Sequence, residues 1–285
     1  MGNRIVIAGA GGQVGTFLAA EATRQGREVL ALTSSQWDIT DPQRPGKIVQ
    51  AGDVVINCAA YTAVDDAERD PDRAYAINAA GPGYIAQACD RAGAQLVHIS
   101  TDYVFDGSAS RPYEPDDATR PLSVYGQTKL SGERAVLDAL PGAFVVRTAW
   151  VYTGGDGKDF VAAMRRLAVG DGVVDMVDDQ TGSPTYTGDL VGALLEVADG
   201  RVDAPNGIVH AANQGEVTRY GQARAVFEIL GADPERVRPV SSDHNPRPAP
   251  RPVYSALSGR QSHDAGLSAL RPWRDALAHA LSVPS

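Results

Sequence analysis

The sequence has few of the features that mark secreted or membrane proteins. It contains only two cysteines, Cys58 and Cys89, and their separation fits neither a metal site nor a disulfide-rich domain. The first residues lack the basic and long apolar regions of a secretory signal. No apolar run approaches the roughly 18 residues that a membrane helix requires. The sequence therefore predicts a cytoplasmic protein with reduced thiols and no membrane contact.

Positive charge, and lysine in particular, is also scarce. The 285 residues carry a formal net charge of −9, and only three of the 26 basic residues are lysines, Lys47, Lys129 and Lys158. Duplex nucleic acids are bound by clustered lysine and arginine side chains, so this composition predicts no nucleic-acid partner. The five histidines show no ligand spacing, and no metal site is predicted. An anionic ligand would have to meet a local group of positive side chains.

The chain does contain short apolar segments that alternate with helical patterns. Residues 4–10 read "RIVIAGA", and the segment after them repeats its apolar side chains at helical spacing until Gly26. Similar apolar runs follow at residues 27–33, 53–60, 94–100 and 143–149. Apolar strands that alternate with helices are typical of a parallel sheet covered on both faces. The sequence predicts an α/β fold with a Rossmann-like doubly wound parallel sheet.

The alternation weakens after about residue 150, which suggests a second structural unit. The later part contains helical patterns and one short strand pattern, at residues 158–170, 187–199, 218–231 and 207–212. We therefore expect residues 1–150 to form a dinucleotide-binding Rossmann domain that carries the catalytic residues. Residues 151–285 are expected to form mainly a smaller C-terminal α/β lobe that binds substrate. The proline-rich segment 243–255 predicts a loop over the surface or the cleft, since proline removes a backbone donor.

Three glycines mark a candidate cofactor site at the first strand-to-helix turn. Gly9, Gly12 and Gly15 follow the first strand and open the first helix. Glycine permits a tight turn and a close approach of the backbone to a pyrophosphate, while the helix N-terminus offers unpaired N–H groups. The alternative is a tight βα turn without a ligand. We expect a dinucleotide site.

The end of the second strand bears on the choice between NADPH and NADH. NAD-binding proteins place an acidic residue there, about 20 residues beyond the glycines, to bind the adenosine ribose. This chain has Thr33, Ser34 and Ser35 instead. Without a carboxylate to repel the 2′-phosphate, NADPH is the predicted cofactor. NADH stays open because no Arg or Lys lies in "TSSQWD" to attract that phosphate.

Tyr125 and Lys129 form the most specific candidate catalytic pair. Residues four apart on a helix share a face, so both side chains can reach one ligand. A nearby ammonium favours the phenolate, so Lys129 is predicted to lower the pKa of Tyr125 from its usual value near 10. A compact ammonium also hydrogen-bonds sugar hydroxyls. The alternative is a solvated helix face.

Polar residues follow the fourth predicted strand, where open α/β sheets bind their ligands. Ser100, Thr101 and Asp102 lie in "HISTDYVFDG" at the carboxyl end of that strand. Their alternative role is a helix cap or a side-chain turn. The Ser100 and Thr101 hydroxyls are therefore expected at the ligand-binding edge of the sheet, and for Asp102 both roles stay open.

Several segments together resemble a known family. The glycine turn, the segment "NCAAYT" and the YxxxK pair resemble the extended short-chain dehydrogenase/reductases. The chain is more closely similar to the dTDP-4-dehydrorhamnose reductase family. That similarity covers residues 5 to about 257 and includes "AAYTAVDDAE", "ISTDYVFDG", "PLSVYGQTKLSGE", "RTAWVY", "DDQTGSPT" and "RPVYSAL". The resemblance implies NADPH- or NADH-dependent reduction of the C4 keto group of dTDP-4-dehydro-β-L-rhamnose.

The resemblance also implies roles for individual residues. Tyr125 would give a proton to the nascent C4 oxyanion, and Lys129 would assist it and bind ribose. Thr101 would polarise the carbonyl, Asp102 would contact the sugar, and Trp150 would form a wall of the sugar pocket. A core aromatic is the alternative role for Trp150.

Other residues would contact the cofactor. These are Gln13 and Val14 at the pyrophosphate turn, Asp38 and Ile39 around the adenine, and Ala60, Tyr61 and Thr62 on the nicotinamide side. Two positions depart from some relatives. Thr33 replaces an acidic residue and Tyr61 replaces a histidine, so the contacts of those relatives need not transfer.

Other functions remain open at this level. Another nucleotide-sugar reductase or an epimerase of the same superfamily would also use Tyr125 and Lys129, and one relative of this fold is a non-catalytic regulatory subunit. Some members bind Mg²⁺ between subunits, but no matching ligands are evident in this chain. The expected partner is a dTDP-sugar, and the expected state is a monomer or homodimer. Arg247 and Arg251 could contact the substrate diphosphate or merely be exposed.

Overall fold

The computed structural model describes residues 3–283 as an alternating chain of strands and helices. The strands are β1 (Ile5–Ala8), β2 (Val29–Leu32), β3 (Val54–Asn57), β4 (Gln95–Thr101), β5 (Phe144–Thr148), β6 (Val151–Tyr152), β7 (Val174–Val177), β8 (Thr181–Gly182), β9 (Thr185–Tyr186), β10 (Ile208–His210), β11 (Val217–Thr218) and β12 (Val237–Val240).

The helices lie between these strands. They are α1 (Gln13–Arg24), α2 (Val64–Ala67), α3 (Pro71–Tyr75), α4 (Gly81–Ala92), α5 (Val124–Ala139), α6 (Phe160–Val169), α7 (Thr187–Ala198), α8 (Arg219–Ile229), α9 (Arg260–Asp264) and α10 (Trp273–Ser282), and a π-helical segment, Ala76–Ala80, joins α3 to α4. None of the helices within residues 3–283 combines the length and apolar character needed to cross a membrane.

Six strands form one central sheet. Their order is β10-β5-β4-β3-β1-β2, and every neighbouring pair is parallel. The chain runs outward in opposite directions from β1, so the switch in strand order lies between β1 and β3. Open α/β sheets bind ligands at the carboxyl ends of the strands at such a point. The predicted doubly wound fold is confirmed.

The core is divided between the two faces of this sheet. Side chains alternate across a strand, so Ile5 and Ile7 of β1 pack on one face with α1 and α7. Val6 and Ala8 point to the opposite face and pack with α4 and α5. Burial on both faces explains why these strands are almost continuously apolar.

Two elements beyond residue 150 return to the central sheet. Helix α7 contributes Leu190 and Leu194 to the same core cluster as Ile5 and Ile7. Strand β10 pairs with β5 at the sheet edge. The two units therefore interleave along the chain, whereas the sequence predicted a single division at residue 150. Pairing of β10 depends on its fit beside β5, a contact that local pattern does not encode.

A smaller lobe holds the rest of the later chain. Parallel β7 and β12 pack with α6, α8 and α10 around a separate apolar cluster. A short 3-10 turn, Ser242–His244, overlaps the start of the proline-rich segment 243–255, which contains no α-helix. It returns toward the first domain, where Ser255 donates to Asp102 at 2.6 Å. The expected loop over the surface or the cleft is confirmed, and its first part lines a cavity.

Candidate active site

The turn between β1 and α1 requires glycine at two positions, Gly9 and Gly15. Gly9 has a positive φ of 80°, and a Cβ there would lie 2.6 Å from the Ala59 nitrogen. A Cβ on Gly15 would lie 2.3 Å from the Gly9 oxygen. Gly12 precedes α1 as its N-cap without a side-chain cap, so the helix N-terminus is open to an anion. The turn fits a dinucleotide pyrophosphate.

A cavity of about 670 Å³ extends from this turn along the carboxyl ends of β1, β2 and β3, and we call it the cofactor groove. Its wall combines residues from the glycine turn, the end of β2, the segment after β2 and the segment after β3. Among the predicted cofactor contacts, those that line it are Gly9, Gly12, Thr33, Asp38, Ile39 and Ala60. The structure thus brings together six of the predicted cofactor residues.

The remaining predicted cofactor residues lie beside the groove rather than on its wall. Gln13 begins α1, and its amide donates to the Thr187 hydroxyl at 3.3 Å. Val14 packs against the core. The Tyr61 backbone is fixed by the buried Asn78 side chain, which accepts from its nitrogen at 2.8 Å and donates to its oxygen at 3.0 Å. Thr62 follows as an exposed residue.

A positive side chain that the sequence analysis missed lies in the cofactor groove. Arg73 of α3 lines the same cavity as Thr33. Its guanidinium carbon lies 5.9 Å from the centre of the Tyr61 ring. Because Arg73 is 40 positions after Thr33, inspection of the second strand end alone could not find it. Thr33 itself is held by hydrogen bonds to Ser35 and Gln36 at 2.9 Å.

Helix α5 places Tyr125 and Lys129 against the carboxyl end of β4. Its N-cap, Ser123, accepts from the Gly126 nitrogen at 3.2 Å. Only glycine fits at 126, since a Cβ there would lie 2.2 Å from the Tyr103 oxygen. Tyr125 is 9% exposed and Lys129 is 1% exposed. The alternative of a solvated helix face is therefore wrong, and the pair is buried.

Lys129 uses only part of its hydrogen-bonding capacity within the protein. Its ammonium donates to the Ile99 oxygen of β4 at 2.6 Å. An ammonium has three donors, so two are left for a ligand. Burial lowers the pKa of Lys129 to about 8, while the charges of Glu133 and Cys58 oppose that shift. Cys58, whose charge interacts with Lys129, lines the cofactor groove.

The prediction that Lys129 lowers the pKa of Tyr125 is wrong. Burial raises the pKa of the Tyr125 phenol above its usual range, and the charge of Asp102 adds to this shift. A hydrogen bond with Thr101 opposes it only partly. Desolvation exceeds any attraction from Lys129, whose ammonium is directed to the Ile99 oxygen. At neutral pH Tyr125 is protonated, which is the state that a proton donor requires.

Thr101 and Asp102 connect Tyr125 to the proline-rich loop. The Thr101 hydroxyl donates to one carboxylate oxygen of Asp102 at 3.0 Å, and Ser255 donates to the other at 2.6 Å. Asp102 is 2% exposed. Burial raises the pKa of Asp102 to about 6, and these hydrogen bonds together with the charge of Arg219 limit the rise. Thr101 also caps the next turn, so the capping alternative describes a second role.

A buried ion pair joins the elements that carry this site. Arg147 of β5 and Glu133 of α5 form two hydrogen bonds, at 2.9 and 2.7 Å, and both side chains are almost fully buried. Ser100 donates to the same carboxylate at 2.5 Å, and Arg147 also donates to the Pro115 oxygen at 3.1 Å. The pair ties α5 to β4 and β5. The sequence analysis missed it because the partners are 14 residues apart on different elements.

Trp150 occupies a strained position between two neighbours. Within residues 3–283 it is the only non-glycine residue with positive φ, at 47°. The guanidinium carbon of Arg219 lies 3.4 Å from its ring centre. A Cβ on Gly182 would lie 2.5 Å from the same indole. Trp150 also packs against a core cluster, so it has the features of a core aromatic, and its ring contacts Arg219, whose charge interacts with Asp102.

A second cavity, of about 880 Å³, lies between the two units, and we call it the inter-lobe cavity. It is lined by Tyr103, Phe160, Arg219 and the proline-rich loop. Arg247 and Arg251 of that loop both pair with Asp65, at 3.7 and 2.6 Å. Their carboxylate partner reduces their availability for a substrate anion.

Acidic residues near this cavity have structural partners. Asp178 accepts from the Thr218 hydroxyl at 2.6 Å, and Asp179 accepts from the Ser242 backbone at 2.7 Å. Within the part of the chain that the structure describes, no three His, Cys, Asp or Glu residues form a group that could hold a metal ion.

Comparison with known proteins shows the family of this chain. The family described as the RmlD substrate binding domain matches residues 3–284. The chain belongs to this family. A dTDP-4-dehydrorhamnose reductase of Mycobacterium tuberculosis H37Rv is 64% identical over 286 aligned positions, which cover 99% of this chain and 93% of that protein.

Solved structures support the same family assignment. A dTDP-4-dehydrorhamnose reductase of Clostridium acetobutylicum has a TM-score of 0.92 and 38% identity, covering 98% of both chains. One from Bacillus anthracis, solved in complex with NADP, has a TM-score of 0.91 and 34% identity with the same coverage. The family resemblance predicted from the sequence motifs is confirmed.

Proposed function

We propose that this protein reduces the C4 keto group of dTDP-4-dehydro-β-L-rhamnose to the alcohol of dTDP-β-L-rhamnose. The observation that carries the proposal is the burial of Tyr125 and Lys129 on one face of α5, with the Lys129 ammonium bound to the Ile99 oxygen of β4. These groups lie at the carboxyl end of β4, between the cofactor groove and the inter-lobe cavity. A reducible sugar placed there meets a proton donor and a dinucleotide.

The residues of the chain account for the proton and the charge. Reduced nicotinamide, when bound, supplies the hydride. As the C4 oxygen becomes an alkoxide, the protonated phenol of Tyr125 gives its proton to that oxygen. The ammonium of Lys129, held by the Ile99 oxygen, keeps two N–H donors for the cofactor ribose. The one hydroxyl proton of Thr101 points to Asp102, so polarising the carbonyl requires this hydroxyl to rotate toward the substrate.

The ribose role of Lys129 gives a direct prediction. We expect Lys129→Met to raise the Kd of NADPH by about 10- to 100-fold, because charged hydrogen bonds contribute roughly 1.5–3 kcal/mol. Fluorescence titration of the cofactor measures this. Lys47→Met, at an exposed position, is the matched control and should leave the Kd unchanged. An unaltered Kd in Lys129→Met would remove the ribose role.

We also propose a preference for NADPH over NADH. Thr33 and Ser34 present no carboxylate to the cofactor groove, and Arg73 contributes a positive charge to its wall. We expect Thr33→Glu to raise KM for NADPH by about tenfold and to change KM for NADH little, because a surface carboxylate repels only the 2′-phosphate. Steady-state kinetics with both cofactors measure the effect. Thr23→Glu adds the same charge at an exposed position on α1 and should change neither value.

An assay with dTDP-4-dehydrorhamnose tests the reaction itself. A reductase consumes one reduced cofactor for each sugar reduced, and the loss of nicotinamide absorbance reports it. An epimerase of the same superfamily recycles its hydride and shows no net change. A non-catalytic subunit consumes nothing. Stoichiometric cofactor oxidation with formation of the C4 alcohol therefore supports the reductase and rejects both alternatives.

The proposed setting is the cytoplasm. Cys58 and Cys89 are both free thiols in the structure, and Cys89 is buried. Free thiols persist most readily in a reducing compartment. The proposed partner is a soluble dTDP-sugar.

A further inference from the structure

Arg219 is the least compensated positive charge on the wall of the inter-lobe cavity. It begins α8, directly after β11, and lines the cavity together with Tyr103 and Phe160. Its guanidinium carbon lies 3.4 Å from the Trp150 ring centre and 4.9 Å from that of Phe160. Two aromatic rings thus fix the guanidinium, which limits the rotational freedom that a long side chain would otherwise lose on binding a ligand.

The hydrogen-bonding capacity of Arg219 is mostly unused within the protein. Across residues 3–283 its guanidinium makes one side-chain hydrogen bond, to Gln222 at 3.3 Å, and no ion pair within 4.0 Å. A guanidinium has five N–H donors in a planar fork. Burial lowers the pKa of Arg219 to about 10, so the side chain is still charged at neutral pH. Arg219 is half-buried, so part of its charge is shielded from water, and an anion would offset the cost of that shielding.

Unlike Arg219, the other arginines that line this cavity have a carboxylate partner, Asp65. Arg251 forms two hydrogen bonds with Asp65, at 2.6 and 2.9 Å, and Arg247 lies 3.7 Å from the same carboxylate. The positive charges of Arg219 and Arg251 repel each other, which raises the free energy of this part of the protein. An anion between them would relieve this repulsion. The chain carries a net charge of −9, so this local positive site stands out against its surroundings.

The location of Arg219 suits the diphosphate of a nucleotide sugar. Tyr103, which also lines the inter-lobe cavity, follows directly after Thr101 and Asp102. The Tyr103 ring centre lies 5.7 Å from that of Tyr125, so the cavity adjoins the proposed proton donor and is within reach of a diphosphate attached to a sugar there. Planar guanidinium forks bind phosphate oxygens in pairs. Arg219 is also close enough to Asp102 for their charges to interact.

We propose that Arg219 binds the diphosphate of the dTDP-sugar substrate, with the rings of Trp150 and Phe160 holding its guanidinium in place. This assignment rests on the proposed function for the identity of the sugar nucleotide. Arg219 is a substrate-binding residue in this assignment, and Arg251 flanks the site while its charge is shared with Asp65. The stacking also explains the strained backbone of Trp150, which presents its ring to the arginine.

Calorimetric binding of dTDP and of thymidine, each to the NADPH-loaded protein, tests the assignment without turnover. We expect Arg219→Met to weaken dTDP by about 10- to 100-fold and to leave thymidine affinity unchanged, because only dTDP carries the phosphates. Arg219→Lys keeps a point charge without the fork and should lose less than Arg219→Met. Arg238→Met removes an exposed arginine of the same lobe and should bind dTDP as the unmodified protein does.

Two results would overturn the assignment. One is an unchanged dTDP affinity in Arg219→Met. The other is an equal loss of dTDP and thymidine affinity in both Arg219 variants, which would mean that Arg219 only supports Trp150. If Arg219→Met does not fold, Arg219→Lys decides between the same outcomes. A protein that fails to reduce dTDP-4-dehydrorhamnose but loses dTDP affinity selectively in Arg219→Met would contradict the proposed function and retain this assignment.

Discussion

Replacing Tyr125 with phenylalanine is expected to lower kcat by about 10²- to 10⁴-fold, the range that a positioned proton donor contributes. The phenyl ring fills the same buried space, so the fold and the cofactor groove should be preserved. The Kd of NADPH should therefore change by less than about twofold, since the hydroxyl is only one of several cofactor contacts. The loss should be in kcat rather than in KM, because the proton is needed only as the alkoxide forms.

Single-turnover kinetics with dTDP-4-dehydrorhamnose and NADPH measure this step. Tyr75→Phe removes a hydroxyl from a tyrosine that is 39% exposed and serves as the matched control. The raised pKa of Tyr125 sets a further expectation. Because the donor acts in its protonated form, its titration should not reduce activity between neutral pH and about pH 9. A Tyr125→Phe variant with unchanged kcat would show that another group protonates the sugar.

Breaking the buried ion pair is expected to have the largest effect on stability. Glu133→Gln should lower the free energy of unfolding by about 3–5 kcal/mol, because the charge of Arg147 would remain buried without its partner. Single domains are stable by only about 5–15 kcal/mol, so this loss would be a large fraction of the total. Both side chains are at most 3% exposed, and water cannot replace the missing carboxylate.

Equilibrium unfolding in urea measures this loss of stability. The midpoint urea concentration should fall, while the slope of the unfolding free energy against urea concentration should stay the same. Glu21→Gln is the matched control, since Glu21 pairs with Arg24 at 2.7 Å on the exposed surface of α1. Exposed pairs contribute about 0–1 kcal/mol. The double variant Glu133→Leu with Arg147→Met should recover part of the stability by removing both charges. Equal losses in Glu133→Gln and Glu21→Gln would contradict the structural role given to the buried pair.

Some of the candidate site could be read directly from the chain. Gly9, Gly12 and Gly15 were recognisable because their spacing, the strand before them and the helix after them are all local. The four-residue spacing of Tyr125 and Lys129 placed them on one helix face for the same reason. Thr101 and Asp102 were found from their position at a strand end. Local geometry is short-range, so adjacent residues encode it.

Other parts depended on contacts between distant segments. Arg219 meets Trp150 across 69 positions of the chain, and Arg73 shares the cofactor groove with residues of β2. The arginines first considered for the diphosphate, Arg247 and Arg251, turned out to have Asp65 as a partner. The edge position of β10 likewise depended on its fit against β5. None of these contacts can be recognised from a pattern in the adjacent sequence.

The sequence by itself determined the alternating elements, the glycine turn and the shared helix face of Tyr125 and Lys129, since each follows from backbone geometry over a few residues. Only the tertiary structure decided how those side chains ionise and which charges are left without a partner. Tyr125 shows this most clearly, because its spacing from Lys129 suggested a lowered pKa whereas its burial raises it. Desolvation depends on everything that surrounds a group, and that environment is assembled from segments far apart in the chain.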